Sequence, residues 1–317
     1  MGKKVAVVGS RGYPSLGFVR EFVRRLAARD PGATVVSGNA RGVDRAAEEE
    51  ARAAGLEVVS LPADWDTHGK AAGFIRNGQI VERCDAVAAF WDGRSRGTAD
   101  TVRRAEVAGK KVSVWGPDGG AMRGGAKGMR LHALDSSQVR GCDKCGLCRT
   151  RKRTVFGQGN PDARLMFVGE APGRDEDESG LAFVGRAGMK LTGLIEGMGL
   201  SRDDVYICNM LKCRPPGNRN PEPGEAAACA PYLREQLEII SPEVVVALGA
   251  CSARLLLGTE ERIGSLRGRF HALPPQWRLA APLMPTYHPA YLLRNPGDSE
   301  MVERDLRLVA ERLGLGL

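Results

Sequence analysis

Three polar residues follow three apolar runs in the carboxyl-terminal half of the chain. Glu170 comes after Leu165–Val168, Asn209 closes Val205–Cys208, and His288 follows Leu283–Tyr287. Strands of one parallel sheet deliver their carboxyl ends to a common edge, where open α/β sheets place ligands. An acid, an amide and an imidazole gathered there beside Phe183 suit a planar heterocycle with hydrogen-bonding edges. Gly169–Gly185, the glycine- and acid-rich stretch after the first run, holds both Glu170 and Phe183. Taken alone it also reads as a solvated acidic loop.

A second set of reactive groups is the thiols. Cys142 and Cys145 form a C-x-x-C with Cys148 three residues on, and Cys213 and Cys229 lie further along. The C-x-x-C alone fits a redox pair or half of a zinc site. Four thiols in two distant pairs can hold one centre, either tetrahedral zinc or an iron–sulfur cluster. Cys84, Cys208 and Cys251 sit in apolar contexts and read as core residues. In the amino-terminal half, Gly9-Ser10-Arg11, Ser37-Gly38 with Asp44 beyond, and Gly97-Thr98 are turns after apolar runs or at helix starts. Backbone amides in such turns bind phosphate, so their recurrence suggests a nucleotide-type ligand.

The elements that would position these groups alternate. Strands are expected at Lys4–Val8, Thr34–Ser37, Glu57–Ser60, Ala86–Trp91 and Lys111–Trp115, with helices between them. The same alternation resumes with strands at Val205–Asn209, Val244–Leu248 and Leu283–Tyr287, and with helices at Ala187–Met198, Pro223–Ile239, Ala250–Leu257 and Ser299–Leu313. Such order argues parallel, doubly wound sheets. The glycine-rich run Gly116–Gly128 is read as a flexible linker. The expected division is therefore a first domain over 1–117, a linker over 118–130 and a second domain over 131–317.

At 317 residues the chain suffices for two cores, and no apolar run is long enough to span a bilayer. The first residues read as a strand rather than a signal peptide, so a cytoplasmic protein is expected. The net charge of +8 is locally concentrated: Arg123–Arg153 carries nine Lys and Arg against two acids. A basic run beside a candidate site suggests a phosphate track, with Arg149, Arg151 and Arg153 as its members.

The amino-terminal half resembles the SLOG group of Rossmann-like nucleotide-sensing domains, through Gly9-Ser10-Arg11, Ser37-Gly38-x-Ala40-x-Gly42-Val43-Asp44, Arg76-Asn77 and Gly97-Thr98. Relatives that hydrolyse nucleotides carry Pro-Gly-Gly-x-Gly-Thr-x-x-Glu. Here the Pro-Gly-Gly is missing and Thr101 replaces the glutamate, so a ligand-binding or DNA-associated module without hydrolysis is expected.

From about residue 131 the chain resembles the family 4, iron–sulfur uracil-DNA glycosylases. The motifs are Gly169-Glu170-Ala171-Pro172-Gly173 with Phe183-Val184-Gly185, Val205–Asn209, Lys212–Pro216 with Asn218-Arg219, and His288–Arg294. The fold implied is two three-layer α/β/α domains, a Rossmann-like SLOG sheet followed by a uracil-DNA-glycosylase-like sheet. The activity implied is hydrolysis of the N-glycosidic bond of deoxyuridine in single- or double-stranded DNA, after the base is flipped out.

By this resemblance Phe183 stacks on the uracil, Asn209 reads its amide edge, and His288 donates to the developing oxyanion. Glu170 stabilises the cationic sugar or orients the attacking water, and the backbone of Gly169 and Ala171 contacts the base. Glu176 supports the loop or is simply an exposed acid. Leu292, Leu293 and Arg294 would wedge into the gap left by the flipped nucleotide. Cys142, Cys145, Cys213 and Cys229 would ligate a structural [4Fe-4S] cluster, Cys145 being preferred to the extra thiol Cys148. A related branch traps DNA covalently through a histidine between the second cysteine pair. Arg214–Ala228 has none, and no lysine nucleophile is implied, so turnover without strand cleavage is expected. The rival reading is a nucleotide-sensing, DNA-binding module that does not turn over.

Overall fold

A computed structural model describes residues 2–316, in two compact units that meet in sequence at Ala133 and Leu134. The first unit contains β1 (Lys4–Gly9), β2 (Thr34–Ser37), β3 (Glu57–Ser60), β4 (Ala86–Phe90), β5 (Lys111–Trp115) and β6 (Ala121–Met122), in the order β3-β2-β1-β4-β5-β6. All pairs are parallel except β5 with β6. Helices α1 (Leu16–Arg29), α2 (Val43–Ala53), α3 (Ala72–Glu82) and α4 (Arg96–Val107) complete it. Along β1 the side chains alternate between two cores. Val5 and Val7 pack with Val19 and Val43, while Ala6 and Val8 pack with Ile80 and Val102. That period of two is what makes the unit three-layered.

The glycine-rich stretch departs from the expectation of a structureless linker. It forms β6, and helix α5 (Gly125–Leu134) starts inside it. Positive φ at Gly119 and Gly124 allows the tight reversals, and Gly116 donates to the carbonyl of Gly120 to close the hairpin.

The second unit contains β7 (Gln158–Gly159), β8 (Leu165–Gly169), β9 (Tyr206–Asn209), β10 (Val244–Leu248), β11 (His271–Ala272) and β12 (Pro282–Thr286), ordered β11-β12-β10-β8-β9-β7. The four inner strands are parallel and the two-residue strands at either side are antiparallel. Every residue of β8 and β10 is buried, which explains their unbroken apolar runs. The helices are α6 (Arg174–Ser179), α7 (Arg186–Glu196), α8 (Pro223–Ile240), α9 (Ala250–Leu257), α10 (Pro289–Leu292) and α11 (Ser299–Arg312). Helix α8 starts as its sequence dictates: Pro223 occupies the first turn and the Glu225 carboxylate accepts from the Glu222 amide. The chain runs from β8 outward to β9 and then returns to β10 on the other side of β8. The resulting crevice lies at the strands' carboxyl ends.

Candidate functional site

That crevice is a cavity of about 450 Å³, and Glu170, Ala171, Phe183, Asn209, His288, Tyr291 and Arg294 are among the residues lining it. Gly169 pairs with Asn209 across β8 and β9, which sets the next residue, Glu170, at the rim. A side chain at Gly169 would overlap both the Asn209 Oδ1 and the Phe183 ring, so only glycine fits there. The Phe183 and His288 rings lie 5.8 Å apart, tilted by 33°. The three strand ends and the aromatic ring thus converge on one cavity.

Two features of the pocket lining are chemically specific. Asn209 lines the cavity and is buried, and its Oδ1 is an inaccessible acceptor with no hydrogen-bond partner among the described residues. His288 Nδ1 accepts from the Ala290 amide at 3.1 Å, which leaves the ring proton on Nε2. Burial, then the charge of Arg294, pushes the His288 pKa down to about 4. The imidazole is therefore neutral at ordinary pH, with a fixed donor.

Helix α6 lies inside the loop between Glu170 and Phe183. Glu176 ties the loop's two ends together: its carboxylate accepts from Gly173 at 3.1 Å and from Val184 and Gly185 at 3.0 Å each. Phe183 has a φ of +52°, a left-handed conformation that costs a non-glycine residue about 1–2 kcal/mol. Arg202 holds the carbonyl before it, with Nη2 2.8 Å from the Ala182 oxygen and Nη1 3.2 Å from Thr192 Oγ1. Beneath Asn209, the fully buried Lys212 donates to the Asn209 carbonyl and to Gln236 Oε1, each at 2.6 Å. Cys251 was expected in the core. It is instead half-buried at the start of α9, with its thiol against Glu170, and burial followed by that carboxylate pushes its pKa up to about 12. Arg202 and Cys251 belong to no local motif, and Lys212, although it opens the Lys212–Pro216 motif, takes no role from it.

All eight cysteines are free, and Cys84 and Cys208 are buried as expected. Cys213 and Cys229 are buried too, and burial raises both thiols, Cys213 to about 11. The like charges felt at Cys213 come from Cys229 and Cys145, and those at Cys229 from Cys145 and Cys142. Cys142 and Cys145 thus lie within electrostatic reach of the Cys213–Cys229 pair, and Arg151 feels Cys142 and Cys148 as well as Cys213. Among the described residues no three His, Cys, Asp or Glu side chains are arranged to hold a single ion.

Two of the expected DNA contacts are corrected. Leu292 is 2% exposed and packs in the core of the second unit, because α10 turns it inward; Leu293, 39% exposed, and Arg294 face outward. Arg149 and Arg153 are exposed, but Arg151 is half-buried and places Nη1 3.2 Å from Cys213 Sγ, so it serves the thiols rather than a surface track.

In the first unit, a cavity of about 370 Å³ is lined by Gly9, Arg11, Asp44, Lys70, Arg76, Gly97 and Thr98, with Trp65 and Phe74 among its other walls. Ser10, Ser37 and Gly38, expected to touch a ligand, lie outside this lining. Ser10 Oγ instead accepts from the Asp92 amide, Ser37 Oγ bonds the Asp44 carbonyl, and the Gly38 carbonyl accepts from Arg76. Asp44 accepts from the amides of Gly9 and Ala40, and Arg76 stands 3.7 Å away. Burial outweighs these attractions and pushes the Asp44 pKa up to about 6.

Comparison with known proteins gives two matches. The sequence model of the uracil DNA glycosylase superfamily matches residues 156–310, and that of the YspA, cpYpsA-related SLOG family matches residues 3–68. The chain is 49% identical over 166 residues to a type-4 uracil-DNA glycosylase of Thermotoga maritima, covering 52% of this chain and 84% of the relative. It is 46% identical over 188 residues to that of Saccharolobus solfataricus, covering 57% and 85%. With the Archaeoglobus fulgidus protein of the same name it shares 41% over 190 residues, covering 58% and 95%.

Proposed function

The chain belongs to the type-4 uracil-DNA glycosylases and excises uracil from DNA in repair, and from that premise we propose how its residues divide the work. The flipped uracil lies on the Phe183 ring. Asn209 Oδ1 accepts from the base's ring N–H, while the amide's NH₂ donates to an adjacent carbonyl, a pairing cytosine does not offer. The neutral His288 donates from Nε2 to the other carbonyl, where charge gathers as the glycosidic bond breaks. Glu170 sets a negative charge against the electron-poor sugar. The observation that carries this reading is that Asn209, with its unpartnered buried acceptor, and His288, with its fixed donor, line one cavity.

The test is single-turnover release of uracil from an oligonucleotide. His288→Ala is expected to lose about 100- to 1,000-fold, the usual cost of one oxyanion donor. Glu170→Gln, which keeps the shape and removes the charge, separates charge stabilisation from orientation of the water. Full activity in both variants would refute the assignments.

Cys142, Cys145, Cys213 and Cys229 fit an iron–sulfur centre. The donors are all soft thiols, and those at Cys142 and Cys145 are felt electrostatically at Cys213 or Cys229. Arg151 beside Cys213 offsets thiolate charge. Cys145 is felt at both Cys213 and Cys229, which supports it as the second ligand, while Cys148 is felt at Arg151 beside Cys213. The [4Fe-4S] cluster would act as a structural brace joining the Cys142 segment to the loop after Asn209. Colourless protein without iron would refute this, as would unchanged iron content in Cys145→Ser with loss in Cys148→Ser.

DNA, single- or double-stranded, would be held by Arg149, Arg153 and Arg294, with Leu293 as the wedge. The first unit would bind a nucleotide. Trp65 and Phe74, 53% and 47% exposed, offer aromatic faces beside Arg11 and Lys70. Thr101 lines the cavity at the position where hydrolytic relatives carry a glutamate, and the cavity's own acids are Asp44 and Asp92. Melting of the first unit unaltered by millimolar adenine or guanine nucleotides would refute that ligand. Eight free thiols support a reducing, cytoplasmic setting, and no helix among the described residues is long and apolar enough to cross a membrane.

A further inference from the structure

Phe183 keeps a backbone conformation that its side chain disfavours, yet its ring must lie flat for a base to stack on it. Three restraints converge on it from different elements. Glu176 holds the amides of Val184 and Gly185 after it. At Gly188, in the first turns of α7, any side chain would overlap the Phe183 carbonyl, so the helix start presses on the residue itself. The third comes from the other side: Arg202, just before β9, bridges the Ala182 carbonyl and Thr192 Oγ1 on α7.

Arg202 is an odd residue to find there. Its guanidinium is half-buried, its hydrogen bonds go to neutral oxygens, and burial holds its pKa below the usual value. An arginine that only tuned solubility would face water or an acid. One that spends its two terminal nitrogens on a carbonyl and a hydroxyl acts as a rigid fork between two segments. Those segments are the helix that bounds the pocket and the residue that precedes its aromatic floor.

We propose that Arg202 is a positioning residue for uracil recognition, a clamp that fixes the Ala182–Phe183 peptide and so the plane of the Phe183 ring. The proposal rests on the reading of Phe183 as the platform under the base. Arg202 touches neither base nor sugar, and its effect passes entirely through Phe183.

The experiment measures inhibition by free uracil and, separately, affinity for DNA carrying an abasic-site analogue, using the full-length protein. Arg202→Met is expected to weaken uracil inhibition by about tenfold while abasic-DNA affinity stays within about twofold. Arg202→Lys keeps the charge but cannot span both acceptors, and is expected to weaken inhibition by about threefold. In a Phe183→Ala background neither substitution should add to the loss already present. Arg202→Lys also carries the test if Arg202→Met fails to fold. Undiminished uracil inhibition in the arginine variants, or a full additional loss in the Phe183→Ala background, overturns the clamp. If Phe183→Ala itself leaves uracil inhibition unchanged, the platform reading falls instead, and the two failures are thereby told apart.

Discussion

His288 shows how a single side chain can be tuned by its surroundings. The acceptor at Nδ1 is occupied by the Ala290 amide, and the ring titrates near pH 4 rather than at its usual value. Because the folded-state pKa lies below the unfolded one, the protein gains nothing from protonating it. Stability from this residue is complete above about pH 6.5 and is lost as pH falls toward 4. Activity measured from pH 8 down to 6 should show no step due to this imidazole, with its acid limb below about pH 5; a step near 6.5 that disappears in His288→Gln would contradict its neutrality. Leu292 and Leu293 provide a paired comparison. Leu292→Ala should destabilise the second unit by about 2–5 kcal/mol, as core truncations do. Leu293→Ala should leave melting within about 0.5 kcal/mol and slow excision from duplex more than from single strands. The His-Pro-Ala-Tyr-Leu-Leu-Arg motif told which residues to examine but not which leucine faced out, since that depends on the way one turn of helix packs.

At the scale of elements, the segment from Gly169 to Gly188 closes the pocket that the strand ends open. Its acids looked like a solvated loop, yet Glu176 satisfies three amides and a short helix forms between the ends it ties. Glu176→Gln is a sharp probe. One amide oxygen can still accept from Val184 and Gly185, but the NH₂ must then face the Gly173 N–H. That conflict should cost about 1–3 kcal/mol and loosen uracil binding before it affects DNA affinity; unchanged melting and unchanged inhibition by uracil would count against the tie. The inner strands were legible because burial on both faces demands continuous apolar runs, as at Leu165–Val168 and Val244–Leu248. Two-residue strands have no periodicity to read, so β6, β7 and β11 were missed. The linker expectation failed for a related reason: glycine weakens local preference, and pairing with β5 decides the outcome. The contacts of Arg202 with Ala182, of Lys212 with Gln236 and of Arg151 with Cys213 span 20, 24 and 62 residues, so no local pattern gave them these roles.

The whole molecule comprises two units with separate cores, and thermal unfolding should show two transitions. The first should carry the signature of Asp44. Its folded-state pKa of about 6 lies above the ordinary carboxylate value, so its stability contribution is present at low pH and lost as pH rises through 6. The amino-terminal transition should weaken between about pH 4 and 7 by up to about 3 kcal/mol, and Asp44→Asn should flatten that slope. A slope unchanged in the variant would assign the effect elsewhere. The perimeters of the two sheets also differ. In the catalytic unit both outermost strands are two residues long and run against their neighbours. They offer a foreign backbone almost no ladder to extend. In the amino-terminal unit one margin, β3, runs for four residues with a single hydrogen-bonded neighbour. Cross-β growth from damaged or partly opened copies therefore has its template there, and a proline placed within Glu57–Ser60 should suppress fibre formation more than any change at the rim of the repair pocket.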